Sequence, residues 1–453
     1  MTEHDLGQRG QAPLQRRFYF EFVLIFLVVS LGVVGAYPIG FYKFRLVDLV
    51  LMIAPLYYFN LMLRGLLERR AVLLVLLYAI SIVVRIFYEL SSAFTVETTR
   101  TLFGMAATYL APSILFISRE SAITRRVAIG LLVAGWIVSL LSQMGLLVYG
   151  ESLVSGAVDL ARVLGIERRD GKFVLDYGET TITIWRAFSV GVTFALILAR
   201  THLSTKILGL LGLVLQYAGG GGGRSPVLFI FFLPIILYSW QGSLSRFARV
   251  RKLLFAGFIG VAMTGMYLWS PIGGADPVKS GGSHFERATE VFLLFEKDGW
   301  DLAAEGGGFE MRTVVYQQYI DGILSDPAVF FFGTGLRKGG AFDYTVLSGL
   351  AHNLILDVWG LSGLVGLIFM LSFLGYVILD MKSLLKAAPT SGVDQILAYS
   401  YAGAILFMIQ YMMVQPTTAD RSFMIVFYFA GGLLKPLERC IREGRNASMS
   451  TAT

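Results

Sequence analysis

The feature that most restricts this chain is a succession of apolar stretches, each near the length a helix needs to cross a bilayer. A spanning helix takes about 20 mostly apolar residues. Such stretches fall at 19–37, 46–63, 71–88, 101–117, 127–149, 183–199, 206–218, 226–240, 252–270, 354–379, 395–414 and 422–435, of which the seventh, eighth and last are short. The expected fold is therefore an all-α polytopic membrane protein with about 12 transmembrane helices. Composition points the same way. Of 453 residues, 55% are hydrophobic and only 15% are charged, too few charges to coat a soluble protein of this length. Many of the 34 Phe and 21 Tyr flank the apolar runs, as residues at a membrane–water interface do. The first stretch has features of a signal peptide, with Arg16 and Arg17 before it and Val34-Gly35-Ala36 after it. It is read as a retained span because the charge pattern works with it in place.

Basic residues set the orientation. Arg9, Arg16 and Arg17 precede the first span, and Arg64, Arg69 and Arg70 follow the second. Arg119, Arg125 and Arg126 follow the fourth, Arg200 and Lys206 flank the turn after the sixth, and Arg246, Arg249, Arg251 and Lys252 follow the eighth. Lys382 and Lys386 follow the tenth, and Lys435, Arg439, Arg442 and Arg445 the last. Every second connection is basic, which places both termini in the cytosol. The net charge of +7 is thus a matter of topology, and no nucleic-acid partner is expected. The lone Cys440 excludes a disulfide or cysteine-based metal site within one chain, and four histidines make a multi-histidine metal centre a poor expectation.

The resulting partition is a cytosolic tail (1–18), transmembrane helices 1–9 with a small outer loop at 150–182 (19–270), a large periplasmic loop between helices 9 and 10 (271–351), helices 10–12 (352–435) and a second cytosolic tail (436–453). In the small loop, Asp170-Gly171 before Phe173–Tyr177 is a hairpin signal. In the large loop, Met311, Val315, Tyr319 and Ile323 recur every four residues between Phe309 and Leu324, as in an amphipathic helix, and Asp326-Pro327 ends it.

With this topology the even-numbered helices have outward N-termini, whose unpaired N–H groups and partial positive charge suit an anion. Arg186, Arg224, His352 and Arg421 stand at four of these ends. Five glycines, Gly219 to Gly223, lead into Arg224, then Ser225 as N-cap and Pro226 at the first helical position. Two readings fit: a phosphate cradle, or a packing break with Arg224 reaching the surface. His352 opens the tenth helix, where the helix dipole favours a neutral imidazole able to act as general base. The alternative is an interfacial histidine that caps its helix. Arg312 lies on the amphipathic loop helix, where a solvated-face arginine is the plainer reading. Asp357 falls about 140° round the helix from His352 and is not paired with it. Gly360, Gly363 and Gly366 are assigned to close packing.

His352-Asn353, nine residues, then Gly363-Leu364-Val365-Gly366 resembles the His-Asn-x9-Gly-x-x-Gly signature of O-antigen ligases and related polysaccharide polymerases. Arg224-Ser225-Pro226-Val227-Leu228 is similar to that family's outer-face Arg-x3-Leu element. The stretch from Met311-Arg312 through Asp326-Pro327 to Phe332-Gly333-Thr334-Gly335 resembles its large-loop helix and glycine turn. The likeness covers roughly residues 180–435, and one departure is Gly223, where relatives often have serine. The resemblance implies a glycosyltransferase acting on undecaprenyl-diphosphate-linked glycan at the periplasmic face of the bacterial inner membrane. In that reading His352 is the base. Arg224 and Arg312 hold the diphosphate, and Arg186, Arg421 and Asn353 complete the substrate-binding set, with no metal, cofactor or nucleotide sugar. Membrane lipid is a further partner, and a flippase and a chain-length regulator are conceivable protein partners. A polymerase is preferred over a ligase for lipid A-core, since each polysaccharide needs its own polymerase. A transporter or flippase is the rival from another class, but such proteins usually carry acidic residues or helix breaks at mid-membrane.

Overall fold

The fold is that of a computed structural model, which describes residues 37–39, 42–44, 121–143, 147–149, 166–169, 172–175, 179–218, 236–240, 309–333, 351, 353–389, 392–414 and 421–450, with single positions at 73, 233, 247, 250, 251 and 254. The described chain is mainly helical: α1 (Ser121–Gln143), α2 (Glu179–Leu198), α3 (Leu203–Ala218), α4 (Phe309–Ser325), α5 (Pro327–Phe332), α6 (Leu354–Ala387), α7 (Val393–Val414) and α8 (Arg421–Ser450). The strands are short: β1 (Tyr37–Ile39), β2 (Tyr42–Phe44), β3 (Leu147–Tyr149), β4 (Ile166–Arg169) and β5 (Lys172–Leu175). β1 and β2 pair antiparallel, Ile39 opposite Tyr42. The hairpin expected at Asp170-Gly171 forms, with β4 antiparallel to β5 and Arg169 opposite Lys172. β3 joins the other side of β5 in parallel.

Among the described residues, two helices, Leu354–Ala387 and Val393–Met413, are long and apolar enough to cross a membrane. They coincide with the expected spans at 354–379 and 395–414. α1, α2, α3 and α8 overlie four more expected spans, with shifted ends. α1 starts at Ser121, so Arg125 and Arg126 ride on the helix. It stops at Gln143, and the Leu-Val-Tyr that was counted at the end of the span is strand β3, a composition suited to a pleated surface. α8 continues through Pro436 to Ser450. The expected spans at 19–37, 46–63, 71–88, 101–117 and 252–270 lie wholly or almost wholly outside the described residues.

The bundle is apolar both inside and out. α1 buries Ala128, Leu131 and Leu132 yet leaves Ile129, Val133 and Ile137 exposed, and α3 exposes Leu203 (73%) and Leu211 (55%). A helix apolar on all sides needs protein or lipid around it. Several buried hydroxyls are satisfied by nearby carbonyls. The Thr193 hydroxyl donates to Val190 O at 3.2 Å, the Tyr238 hydroxyl to Leu198 O at 3.2 Å, and the Tyr401 hydroxyl to Ala128 O at 3.4 Å. At the crossing of α2 and α7, a Cβ on Gly191 would lie 2.2 Å from Ser400 O, and Gly403 stands against the Gly191 backbone. Small residues that let backbones touch are the usual packing device where the hydrophobic effect no longer drives helices together.

Connections expected on one side of the membrane meet at one end of the bundle. Arg125 Nη2 lies 2.7 Å from Asp394 Oδ1, joining the start of α1 to the start of α7. The backbone N–H of Arg200 donates to Gln395 Oε1 at 2.9 Å. Nearby in sequence on α8, buried Glu438 takes Lys435 at 2.5 Å and Arg442 at 2.7 Å. The starts of α1 and α7 and the turn after α2 thus share one end.

Candidate functional site

The other notable construction is the head of α6, where the short helices α4 and α5 seat. Asp326 caps α5: its backbone is extended (φ −131°, ψ 117°), its carboxylate accepts from Ala328 N at 2.8 Å, and Pro327 takes the first helical position. Val315, Tyr319 and Ile323 of α4 are buried in one cluster with Ala351 and Leu361, so the four-residue recurrence read from sequence is the packed face. The Trp359 indole N–H donates to Phe330 O at 3.2 Å, and the two rings stand 5.5 Å apart, edge to face.

Two glycines lock this seat. Gly333 (φ 78°, ψ −175°) ends α5, and Gly363 (φ 67°, ψ −173°) interrupts α6. Both lie in a region of backbone space that is essentially open to glycine alone. A Cβ on Gly333 would stand 2.4 Å from the Leu361 carbonyl carbon, and one on Gly363 would stand 2.2 Å from that of Phe331. Each glycine therefore leaves room for the backbone beside the other. The close-packing role expected of Gly363 is met, though its partner is the loop helix α5. The break also divides α6. Residues 364–387 rise about 36 Å at 1.5 Å per residue, enough to cross about 30 Å of hydrocarbon. Residues 354–362 lie beyond that length.

The entry to α6 is fastened from both sides of position 352. Asn353 (φ −148°, ψ 120°) is the N-cap, its side-chain oxygen accepting from Ile355 N at 3.0 Å and Leu356 N at 3.4 Å. Asp357 is fully buried, and its Oδ1 accepts from Ala351 N at 2.6 Å. His352 itself, like Arg224, lies outside the described residues. The structure shows what Asp357 holds. The 140° separation presumed one continuous helix, but Asn353 is the cap, so residues 351 and 352 precede the helix. The Asp357 side chain in the first turn reaches back to Ala351. An acidic residue in the first turn behind an Asn cap was the available signal.

The remaining expected residues are spread along the fold. Asn353 sits at the head of α6 as a cap, with its side-chain oxygen engaged by the backbone. Arg312 lies on α4, four residues before Tyr316 and seven before Tyr319, hence in register with the face packed on α6; its side chain is outside the described residues. Arg186 is partly buried on α2 between Trp185 and Ala187, which are 5% and 0% exposed. Trp185 and Ala187 belong to the same continuous core as Leu354 and Val358. Arg421 is the first residue of α8, and its side chain is likewise outside the described residues. The structure thus unites Asn353 with the helix bearing Arg312. No family model matches the chain, and no curated protein matches it.

Proposed function

We propose that this chain is an integral, multi-pass glycosyltransferase of the bacterial inner membrane. In this reading it polymerises undecaprenyl-diphosphate-linked oligosaccharide repeats at the periplasmic face. The observation that carries the reading is the reciprocal fit of Gly333 and Gly363. These glycines belong to two separate elements of the family resemblance, the loop turn and the histidine signature. Their fit supports reading both elements as parts of one site, with Arg312 on the helix packed beside it.

In that site His352 takes the proton from an acceptor sugar hydroxyl. The hydroxyl oxygen forms a bond to the anomeric carbon of the donor, and the carbon–oxygen bond to phosphate breaks. The electron pair leaves with undecaprenyl diphosphate, whose charge Arg224 and Arg312 offset, and His352 returns its proton to water. Asn353 serves through the helix cap, which holds position 352 at the helix entrance. Arg186 and Arg421 complete the cationic surround.

The test is transfer by the purified, reconstituted protein from undecaprenyl-diphosphate oligosaccharide, resolved by product length, beside His352→Ala and Arg224→Ala. A ladder lost in both variants is the expected result. A single transfer that needs a lipid A-core acceptor would identify a ligase instead. Full transfer in both variants would overturn the site.

A further inference from the structure

Phe330, Phe331 and Phe332 close α5, a helix whose side chains include no polar group. Successive residues of a helix point about 100° apart, so packing on one neighbour shelters only part of such a run. Val329 is buried, and Phe330 is partly buried with its ring against Trp359. Phe331 and Phe332 remain 48% and 53% exposed, and Leu324, near the end of α4, is exposed as well. Their backbone is nonetheless closely fitted, since the Phe331 carbonyl and the Phe332 nitrogen lie against Gly363. Two neighbouring apolar rings are thus presented outward from a seated backbone. In water that arrangement forgoes the burial of both rings, and such a patch marks a surface that meets something apolar.

The depth of the seat identifies what receives the rings. α6 has no charged residue between Asp357 and Asp380, and its first basic residue is Lys382. From Gly363 to Lys382 the helix rises about 29 Å at 1.5 Å per residue, close to the roughly 30 Å of a bilayer's hydrocarbon. With Lys382 at one boundary, Gly363 lies at the other, and so does the backbone of Phe331 and Phe332 that touches it. Ile368 and Leu371 are exposed about 8 and 12 Å further along α6, so the apolar outside of that helix begins close to the seat. Trp359 stands about 6 Å the other way and is partly buried, at the level where interfacial indoles collect. The exposed polar groups keep away from the rings. Gln317 and Asp321 bond to each other at 2.9 Å on α4, and Asp326 caps the opposite end of α5.

We infer that the C-terminal end of α5 is an interfacial anchor. Phe331 and Phe332 enter the acyl-chain margin of the bilayer at the Gly363 end of α6, and they hold α4 and α5 against the membrane surface. Bilayer lipid is the occupant because the rings sit at the same depth as the hydrocarbon boundary, beside an apolar helix exterior. Phenylalanine suits the place, having no polar atom that must stay wet. The anchor sets the height of the loop helices: α4, packed on Ala351 and Leu361, stands at the level of lipid headgroups. This goes beyond the transfer reaction and needs only that α6 spans a bilayer.

The test uses the full chain in phosphatidylcholine nanodiscs, with its only cysteine removed as Cys440→Ser and one fluorophore attached at Phe332→Cys. Quenching is read from lipid carrying a nitroxide near the headgroup, from lipid carrying it at the chain end, and from iodide in water. Leu371→Cys is the reference for lipid and Gln317→Cys the reference for water. The Phe332 label is expected to lose more intensity to the shallow nitroxide than to the deep one, and less to iodide than the Gln317 label loses. Iodide quenching equal to that at Gln317 overturns the inference. Shielding from both quenchers also overturns it, because another segment of the chain or a second copy would then cover the face. Should Phe332→Cys fail to fold, Phe331→Cys gives the same reading. A Leu371 label untouched by either nitroxide removes the spanning reading of α6, and the anchor with it. No turnover is measured, so the transfer reaction stands or falls separately.

Discussion

Replacing Gly363 by alanine tests the construction of the α6 head directly. The added Cβ would stand 2.2 Å from both the carbon and the oxygen of the Phe331 carbonyl and 2.3 Å from Phe332 N, whereas ordinary contact begins near 3.4 Å. All three atoms are backbone, so no side-chain rotation relieves the clash. α5 must recede by about 1 Å, and a gap of that size forfeits up to half of each contact energy across the interface. The recession also strains the Trp359–Phe330 hydrogen bond, now 3.2 Å. Alanine at φ 67°, ψ −173° adds backbone strain of about 1–3 kcal/mol. Together these give about 3 kcal/mol against the docked state, or about a hundredfold more of the undocked one. Hydrogen exchange of the amides of Phe330 and Gly333, which bond within α5 at 2.9 and 2.8 Å, reads that change. Gly375→Ala is the control, since nothing lies within 4 Å of its Cβ and an interior helix position gains about 0.5–1 kcal/mol from alanine. Equal exchange in the two variants would refute the reasoning.

Two other substitutions probe the bundle and its sidedness. Gly191→Ala puts a Cβ 2.2 Å from Ser400 O and 2.8 Å from Ala404 N, and it is expected to lower stability in detergent by about 1–3 kcal/mol, read as a lower melting temperature than that of Gly375→Ala. Cys440 is the only thiol, so a membrane-impermeant maleimide is expected to label inverted vesicles and not intact cells. Burial pushes this thiol above its ordinary range and Arg125 only partly offsets that, so labelling should be slow near neutrality and quicken with rising pH. Labelling of intact cells would reverse the orientation read from the basic connections.

What the sequence disclosed follows from which forces are periodic or local. The helices at 354–379 and 395–414 were legible because each is apolar over its whole length. Val315, Tyr319 and Ile323 were legible because one face of α4 packs and the others do not. Helix ends were less so. Whether Leu147–Tyr149 ends a span or begins a strand depends on its pairing with Phe173–Leu175, some 25 residues away, which no local pattern encodes. The pairing of Gly333 with Gly363 was equally hidden, since a glycine reads alike whether it serves a turn, a kink or a contact. The bond from Ala351 N to Asp357 was hidden because the sequence reading began the helix at position 352, ahead of the Asn353 cap.

The geometry gives the spacing between Asn353 and Gly363 a physical meaning. Asn353 starts a helix and Gly363 breaks it, so the residues between them are the length of one short helix, about 13 Å at 1.5 Å per residue. One end of that helix carries the cap beside His352, and the other carries the glycine that receives α5. A residue added between them would turn Gly363 by about 100° relative to the cap and take it from the Phe331 backbone. The same register brings Leu361 under the α4 cluster and Trp359 against Phe330. Spacing here therefore acts as a ruler. It fixes how far, and at what angle, the helix that bears Arg312 stands from the helix entrance at position 352. On this account the glycines and the cap set the distance between a candidate cation and a candidate base, although neither takes part in the chemistry.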